Sequence, residues 1–130
     1  MEDVKNFFKN DTFAEHLGIE LLEVSKGRAK AKMEIKDHHL NGINIAHGGA
    51  IFSLADLAFA VASNSHKTIA LAINASISFL KAASGGTLFA EAKEVSINPK
   101  LATYDIRVTN ETNDIIALFH GTVYRKKDKI

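Results

Sequence analysis

Apolar and polar positions alternate most plainly after Gly27, where Ala29, Ala31, Met33 and Ile35 are interleaved with Lys30, Lys32, Glu34 and Lys36. That period of two predicts a strand with one face buried and the other in water. A different pattern occupies Gly48 to about Ser65, where Asp56 is the only charged residue among Ile51, Phe52, Leu54, Leu57, Phe59 and Val61. It predicts a helix of about four to five turns, apolar on every face and therefore enclosed by the rest of the protein.

Around these two elements the rest of the chain falls into short segments. Val4, Phe7 and Phe8 recur at i, i+3 and i+4 and predict a short amphipathic helix within the first ten residues. Thr12-Phe13-Ala14-Glu15 has capping-box spacing and predicts a second brief helical turn. Leu17 to Val24 reads as a strand, Ser25-Lys26-Gly27 as a turn, and Asp37 to Ala46 as the loop leading into the central helix. Four further strands follow at roughly Ile69 to Leu80, Thr87 to Ile97, Leu101 to Asn110 and Ile115 to Arg125. Gly85-Gly86, Asn98-Pro99-Lys100 and Thr112-Asn113-Asp114 separate them. Short connections imply antiparallel neighbours. The expected architecture is α+β: a long antiparallel sheet curled around one greasy helix, with residues 1–130 forming a single domain and no repeats.

Composition narrows the function classes. At 46% apolar and 24% charged residues the chain is an ordinary globular domain, and its formal charge of +1 gives no reason to expect nucleic acid or a membrane surface as partner. With no cysteine there is no disulfide, thiolate nucleophile or Cys-based metal site. The N-terminal Met1-Glu2-Asp3-Val4-Lys5 is charged and lacks a signal-peptide core, so the expected location is cytoplasmic. His16, His38, His39, His66 and His120 show no metal-ligand spacing, and adjacent His38 and His39 are expected on opposite sides of an extended segment. No metal site and no cofactor are expected. Ser53, within Ala50-Ile51-Phe52-Ser53-Leu54, lacks the flanking glycines of a nucleophile elbow.

Chemistry concentrates between Asn41 and Asp56. A carboxylate seldom enters apolar surroundings without a partner or a task, which makes Asp56 the first candidate. The first N–H groups of the helix lack intrahelical partners, and Gly48 and Gly49 let a ligand approach the bare backbone. A polarised carbonyl oxygen could bind there. At the rise of an α-helix, however, Gly48 and Asp56 lie about 12 Å apart along the axis. If both act on one substrate, the Gly48 amide and Asp56 belong to different subunits, and a symmetric dimer then carries two equal sites.

These motifs, taken in order, resemble a known family. Asn41-Gly42, His47-Gly48-Gly49, Asp56 and the helix end Ala62-Ser63-Asn64-Ser65 look like the hotdog-fold acyl-CoA thioesterases of the PaaI (phenylacetyl-CoA thioesterase) type. The likeness extends to His16-Leu17-Gly18-Ile19, Ile77-Ser78-Phe79-Leu80-Lys81, Tyr104-Asp105-Ile106 and Ala117 to Thr122. It implies a hotdog fold and hydrolysis of aryl-acetyl or medium-chain acyl-CoA in a dimer with shared sites, paired into a dimer of dimers. In that scheme the Gly48 N–H polarises the thioester carbonyl, and Asp56 of the facing subunit is either general base or nucleophile.

The remaining assignments follow from the same resemblance. Asn41 either orients the water or acyl group or forms a turn, and His47 either acts on the substrate or bonds nearby backbone. Gly49 and Phe79 are expected at the substrate, and Lys81 is the first candidate for the coenzyme A phosphates. The hydroxyl that some relatives carry early in the strand after the helix is missing at Leu71-Ala72-Ile73, leaving Asn74 or Ser76 as substitutes. Two other readings are an acyl-CoA-binding protein without activity and a hotdog hydratase or dehydratase using His47.

Overall fold

A computed structural model describes residues 1–130. Two short helices, α1 (Glu2–Phe8) and α2 (Thr12–His16), precede strands β1 (Glu20–Ser25) and β2 (Arg28–Glu34). A 3-10 turn at Asp37–His39 and a loop lead into α3 (Gly48–Asn64). Strands β3 (Thr68–Phe79), β4 (Thr87–Ile97), β5 (Leu101–Thr109) and β6 (Ile115–Lys129) complete the chain. All six strands form one antiparallel sheet in the order β1-β2-β4-β5-β6-β3, packed around α3. This is the arrangement the resemblance implies.

The alternation that predicted β2 is realised by burial of Ala29, Ala31 and Met33 while the intervening lysines reach water. On α3, Ile51, Leu54, Phe59 and Val61 turn into a core of 27 residues, each contributing on the order of 1.5–3 kcal/mol by leaving water. Helix and sheet approach so closely that a Cβ at Gly121 would stand 2.6 Å from the Phe59 ring. Phe59 in turn packs edge-on against Tyr104 at 5.8 Å. At the C-terminal end of α3, the Asn64 side chain accepts from the Ala70 N–H at 3.0 Å and donates to the Ala60 carbonyl at 2.8 Å. Ser65 Oγ, fully buried, accepts from the Gly27 N–H at 2.7 Å and donates to the Ala62 carbonyl. These bonds fix the helix to both halves of the sheet.

Several expectations are corrected. Helix α2 is capped by Asp11, whose side chain accepts from the Ala14 N–H, and not through Thr12. Strand β1 starts at Glu20 because Gly18, at φ +74°, ends α2 in the left-handed conformation that glycine adopts without strain. Strands β3 and β4, although joined by a short link, are not neighbours: β3 crosses to the far edge and pairs with β6. Residues 80–86 can reach about 23 Å when extended, whereas three strand spacings amount to about 14 Å, so the link need not be a hairpin. His38 and His39 do not point apart; the 3-10 turn places their rings 4.1 Å from each other. Finally, α3 is not apolar and enclosed all round. Gly49, Phe52, Ser53, Asp56 and Ala60 form a stripe, one helical face wide, that stays partly in solvent.

Candidate functional site

The site begins with a loop that the fold holds closed. Leu40 and Ala46 form an isolated bridge, the Asn41 N–H donates to the Ile45 carbonyl at 2.8 Å, and the Ala46 N–H donates to the Ala83 carbonyl at 2.7 Å. Asn41 is a turn former here: its Oδ1 accepts from the N–H groups of Ile43 at 3.1 Å and Ile45 at 3.3 Å. Its amide nitrogen makes no bond within the chain, so that end of the side chain is free for a ligand.

At the base of the loop lies His39, which sequence reasoning passed over. It is 2% exposed, accepts the Lys36 N–H on Nδ1 at 2.9 Å and bonds the Leu17 carbonyl through Nε2 at 2.8 Å. With one nitrogen accepting and the other donating, the ring is a neutral imidazole. Its own carbonyl accepts the His47 N–H at 2.7 Å, which sets the point where α3 begins.

His47 is the N-cap of α3, and its Nδ1 accepts the Gly49 N–H at 2.8 Å. The N–H groups of Ala50 and Ile51 both reach the His47 carbonyl. Of the first-turn donors, only the Gly48 N–H has no partner. A Cβ at position 48 would stand 3.2 Å from the tip of the Phe79 ring, and one at 49 would stand 3.0 Å from His47 Nδ1. Glycine at both positions therefore keeps an unpartnered amide at the positive end of α3 with an aromatic ring beside it.

Asp56 lies two turns further along the same solvent-facing stripe, half-buried. Partial burial raises its carboxyl above the ordinary value of 3.8, and the nearby Asp11 carboxylate pushes in the same direction. Asp11 is the second residue that sequence reasoning missed. Its only signal was the Asn10-Asp11-Thr12 run, in which the capping-box spacing drew attention to Thr12 instead.

The structure brings Gly48, Gly49, His47 and Phe79 together and sets Asn41 at the neck of the adjoining loop. Asn74 and Ser76 are not brought there. They pair with Thr122 and His120 and alternate with Ile77, which packs against the core opposite Phe119, so they occupy the sheet face turned away from α3. That face carries its own hydrogen-bonded pair, His120 Nδ1 to Asp105 Oδ1 at 2.7 Å. The Lys81 ammonium is engaged with the Asp114 carboxylate at 2.9 Å, which, with bonds from Asn110 and Thr112, holds that acid down to about 2. No group of three or more His, Asp or Glu side chains is arranged to hold a metal ion, and no helix is long and apolar enough to cross a membrane.

Comparison with known proteins places this geometry in context. Residues 43–117 match the model of the thioesterase superfamily. A putative esterase from Archaeoglobus fulgidus is 54% identical over 127 residues, covering 96% of this chain and 82% of that protein. The acyl-coenzyme A thioesterase PaaI of Escherichia coli is 38% identical over 119 residues, covering 91% and 85% of the two chains. The structure of the E. coli PaaI protein from the phenylacetic acid degradation operon superposes with a TM-score of 0.93 at 36% identity, over 96% of this chain and 91% of that one.

Proposed function

The chain belongs to the thioesterase superfamily, and from that premise we propose that it hydrolyses acyl-CoA thioesters, with Gly48 and Asp56 as the catalytic groups. One observation carries the reading: the Gly48 N–H is the sole unpartnered donor at the start of α3, with the Phe79 ring against the side that glycine leaves bare. The thioester carbonyl accepts that hydrogen bond, which strengthens as negative charge develops on its oxygen.

Asp56 supplies the other half of the reaction. As a base, it takes a proton from water while the resulting hydroxide bonds to the carbonyl carbon; the tetrahedral oxyanion then collapses and the C–S bond breaks. The thiolate of coenzyme A leaves with the electron pair and is protonated, and the free acid remains. As a nucleophile, Asp56 instead forms a mixed anhydride that water opens in a second step. A carboxyl raised by partial burial and by Asp11 suits either role, since basicity and nucleophilicity rise together.

Both groups can meet one thioester only across two chains, because about 12 Å of helix separates them. Features that favour such a dimer are the unpaired edge of β3, where Leu71, Ile73 and Phe79 are more than half exposed, and the open α3 stripe bearing Asp56. Pairing β3 with its copy sets the two helices side by side. The coarse test is release of free thiol from a panel of acyl-CoAs. Binding without release favours a non-catalytic binding protein, and a change in enoyl absorbance favours hydration. The shared site has its own test: mixing Asp56→Ala chains with Gly48→Pro chains restores activity on subunit exchange, and proven exchange without recovery counts against it.

A further inference from the structure

We propose that the acyl end of the thioester is received in the cavity between α2, the 37–40 turn and the first two turns of α3, and that Phe13 determines which acyl groups fit. This rests on the hydrolase reading of the Gly48 amide and extends it to the substrate. The cavity measures about 420 Å³ and is walled by Phe13, Leu17, Leu40 and Phe52, with His47 and Gly49 at one end. His47 and Gly49 flank Gly48 in sequence, so a carbonyl bound to the Gly48 N–H has this opening next to it.

The chemistry of the walls selects the occupant. No lysine, arginine, aspartate or glutamate lines the cavity. Several of its polar atoms are committed: Ser53 Oγ donates to the Gly49 carbonyl at 2.7 Å, both ring nitrogens of His39 are bonded, and His47 Nδ1 holds the Gly49 N–H. The His38 ring and His47 Nε2 are the polar groups left facing it without a partner in the chain. A charged acyl terminus would lose water there and meet no lysine or arginine, only imidazoles. A benzene ring is accommodated by a cavity of about 150 Å³, so this one has room for a ring and its linker or for an aliphatic chain. The fitting class is a neutral, apolar acyl group.

Phe13 stands out because it is 63% exposed although it borders an apolar cavity. An aromatic ring left in water at the mouth of a pocket gains most when a ligand covers it. Its exposure also means that truncation removes little native packing, so Phe13→Ala is expected to fold normally.

The experiment compares acetyl-, butyryl-, hexanoyl-, phenylacetyl- and succinyl-CoA by thiol release from the full-length protein. Wild type is expected to favour hexanoyl or phenylacetyl over acetyl, and butyryl over the similarly long but charged succinyl. In Phe13→Ala the kcat/KM ratio of phenylacetyl to acetyl falls roughly tenfold, while in Phe7→Ala, on α1 away from the cavity, it stays at the wild-type value. Equal losses for every acyl group, or equal turnover of succinyl and butyryl, would overturn the assignment. If no acyl-CoA releases thiol, the hydrolase reading fails and the cavity is judged by calorimetry. Tighter binding of phenylacetyl- than acetyl-CoA that Phe13→Ala erases supports it, and indistinguishable binding rejects it.

Discussion

Replacing Gly48 by proline removes the one unpartnered donor at the start of α3. Gly48 is the first residue of α3, where a missing N–H breaks no helical bond and the ring's fixed φ suits the helix. The residue before a proline must be extended, and His47 already is, at φ −62° and ψ +138°. The substitution therefore deletes the unpartnered donor while leaving the Gly49 cap and the bonds of Ala50 and Ile51 to the His47 carbonyl intact. Its steric effects are the added Cβ, which would meet the Phe79 ring at 3.2 Å, and the ring Cγ and Cδ, the latter taking the place of the amide hydrogen. Gly48→Ala introduces the same Cβ and keeps the donor.

The ratio of the two variants then reports loss of the N–H together with the proline Cδ that replaces it. Removal of one oxyanion donor is worth about 100- to 1,000-fold in turnover, roughly 3–4 kcal/mol of barrier. We expect Gly48→Ala to lose activity only as far as Phe79 must shift, and Gly48→Pro to fall a further 100-fold or more in kcat. In thermal unfolding the proline variant should match or exceed the alanine one, since proline restricts the unfolded chain by about 0.4–1 kcal/mol. The measurement is thiol release under saturating acyl-CoA, with circular dichroism to verify that α3 is retained. A folded Gly48→Pro protein as active as Gly48→Ala would refute the role assigned to the amide.

Asp56→Asn should lower kcat by roughly 100- to 10,000-fold. Because the group must be ionised to act and is raised from 3.8 by burial and by Asp11, the acid limb of the kcat/KM profile should lie above the ordinary aspartate range. Asp11→Asn, which retains a competent N-cap, should move that limb to lower pH; a limb that stays in place would show that Asp11 does not tune Asp56. Asp114, held down to about 2 chiefly by the Lys81 ammonium, contributes stability that is present above about pH 4 and lost as pH falls towards 2. Asp114→Ala should thus unfold at lower urea than wild type at pH 6, with the gap closing near pH 2. Glu94 accepts both Tyr104 Oη at 2.6 Å and His66 Nε2 at 2.7 Å. Glu94→Ala leaves the fully buried Tyr104 hydroxyl without its acceptor and should cost about 1–3 kcal/mol, whereas a Tyr104→Phe chain, whose Glu94 keeps His66, should lose less in denaturant titration.

Local periodicity accounts for what could be foreseen. β2 and β4 to β6 were legible because their alternating residues face a core on one side and water on the other, and the Gly-Gly entry to α3 marked an amide without a partner. What the sequence did not show depends on distances it does not contain. The register of β3 against β6, which sets Ile77 opposite the buried Phe119, decides that Asn74 and Ser76 face away from α3. The pairing of Lys81 with Asp114 joins residues 33 positions apart, and His39 earns its place through Leu17, 22 positions away. The same limit explains Asp56. An apolar helix suggests complete enclosure, yet one chain leaves its stripe half in water. On the shared-site proposal, a carboxylate left there is one that a second copy would cover: the partial burial that already raises it in one chain would deepen as the proposed dimer closed over the stripe.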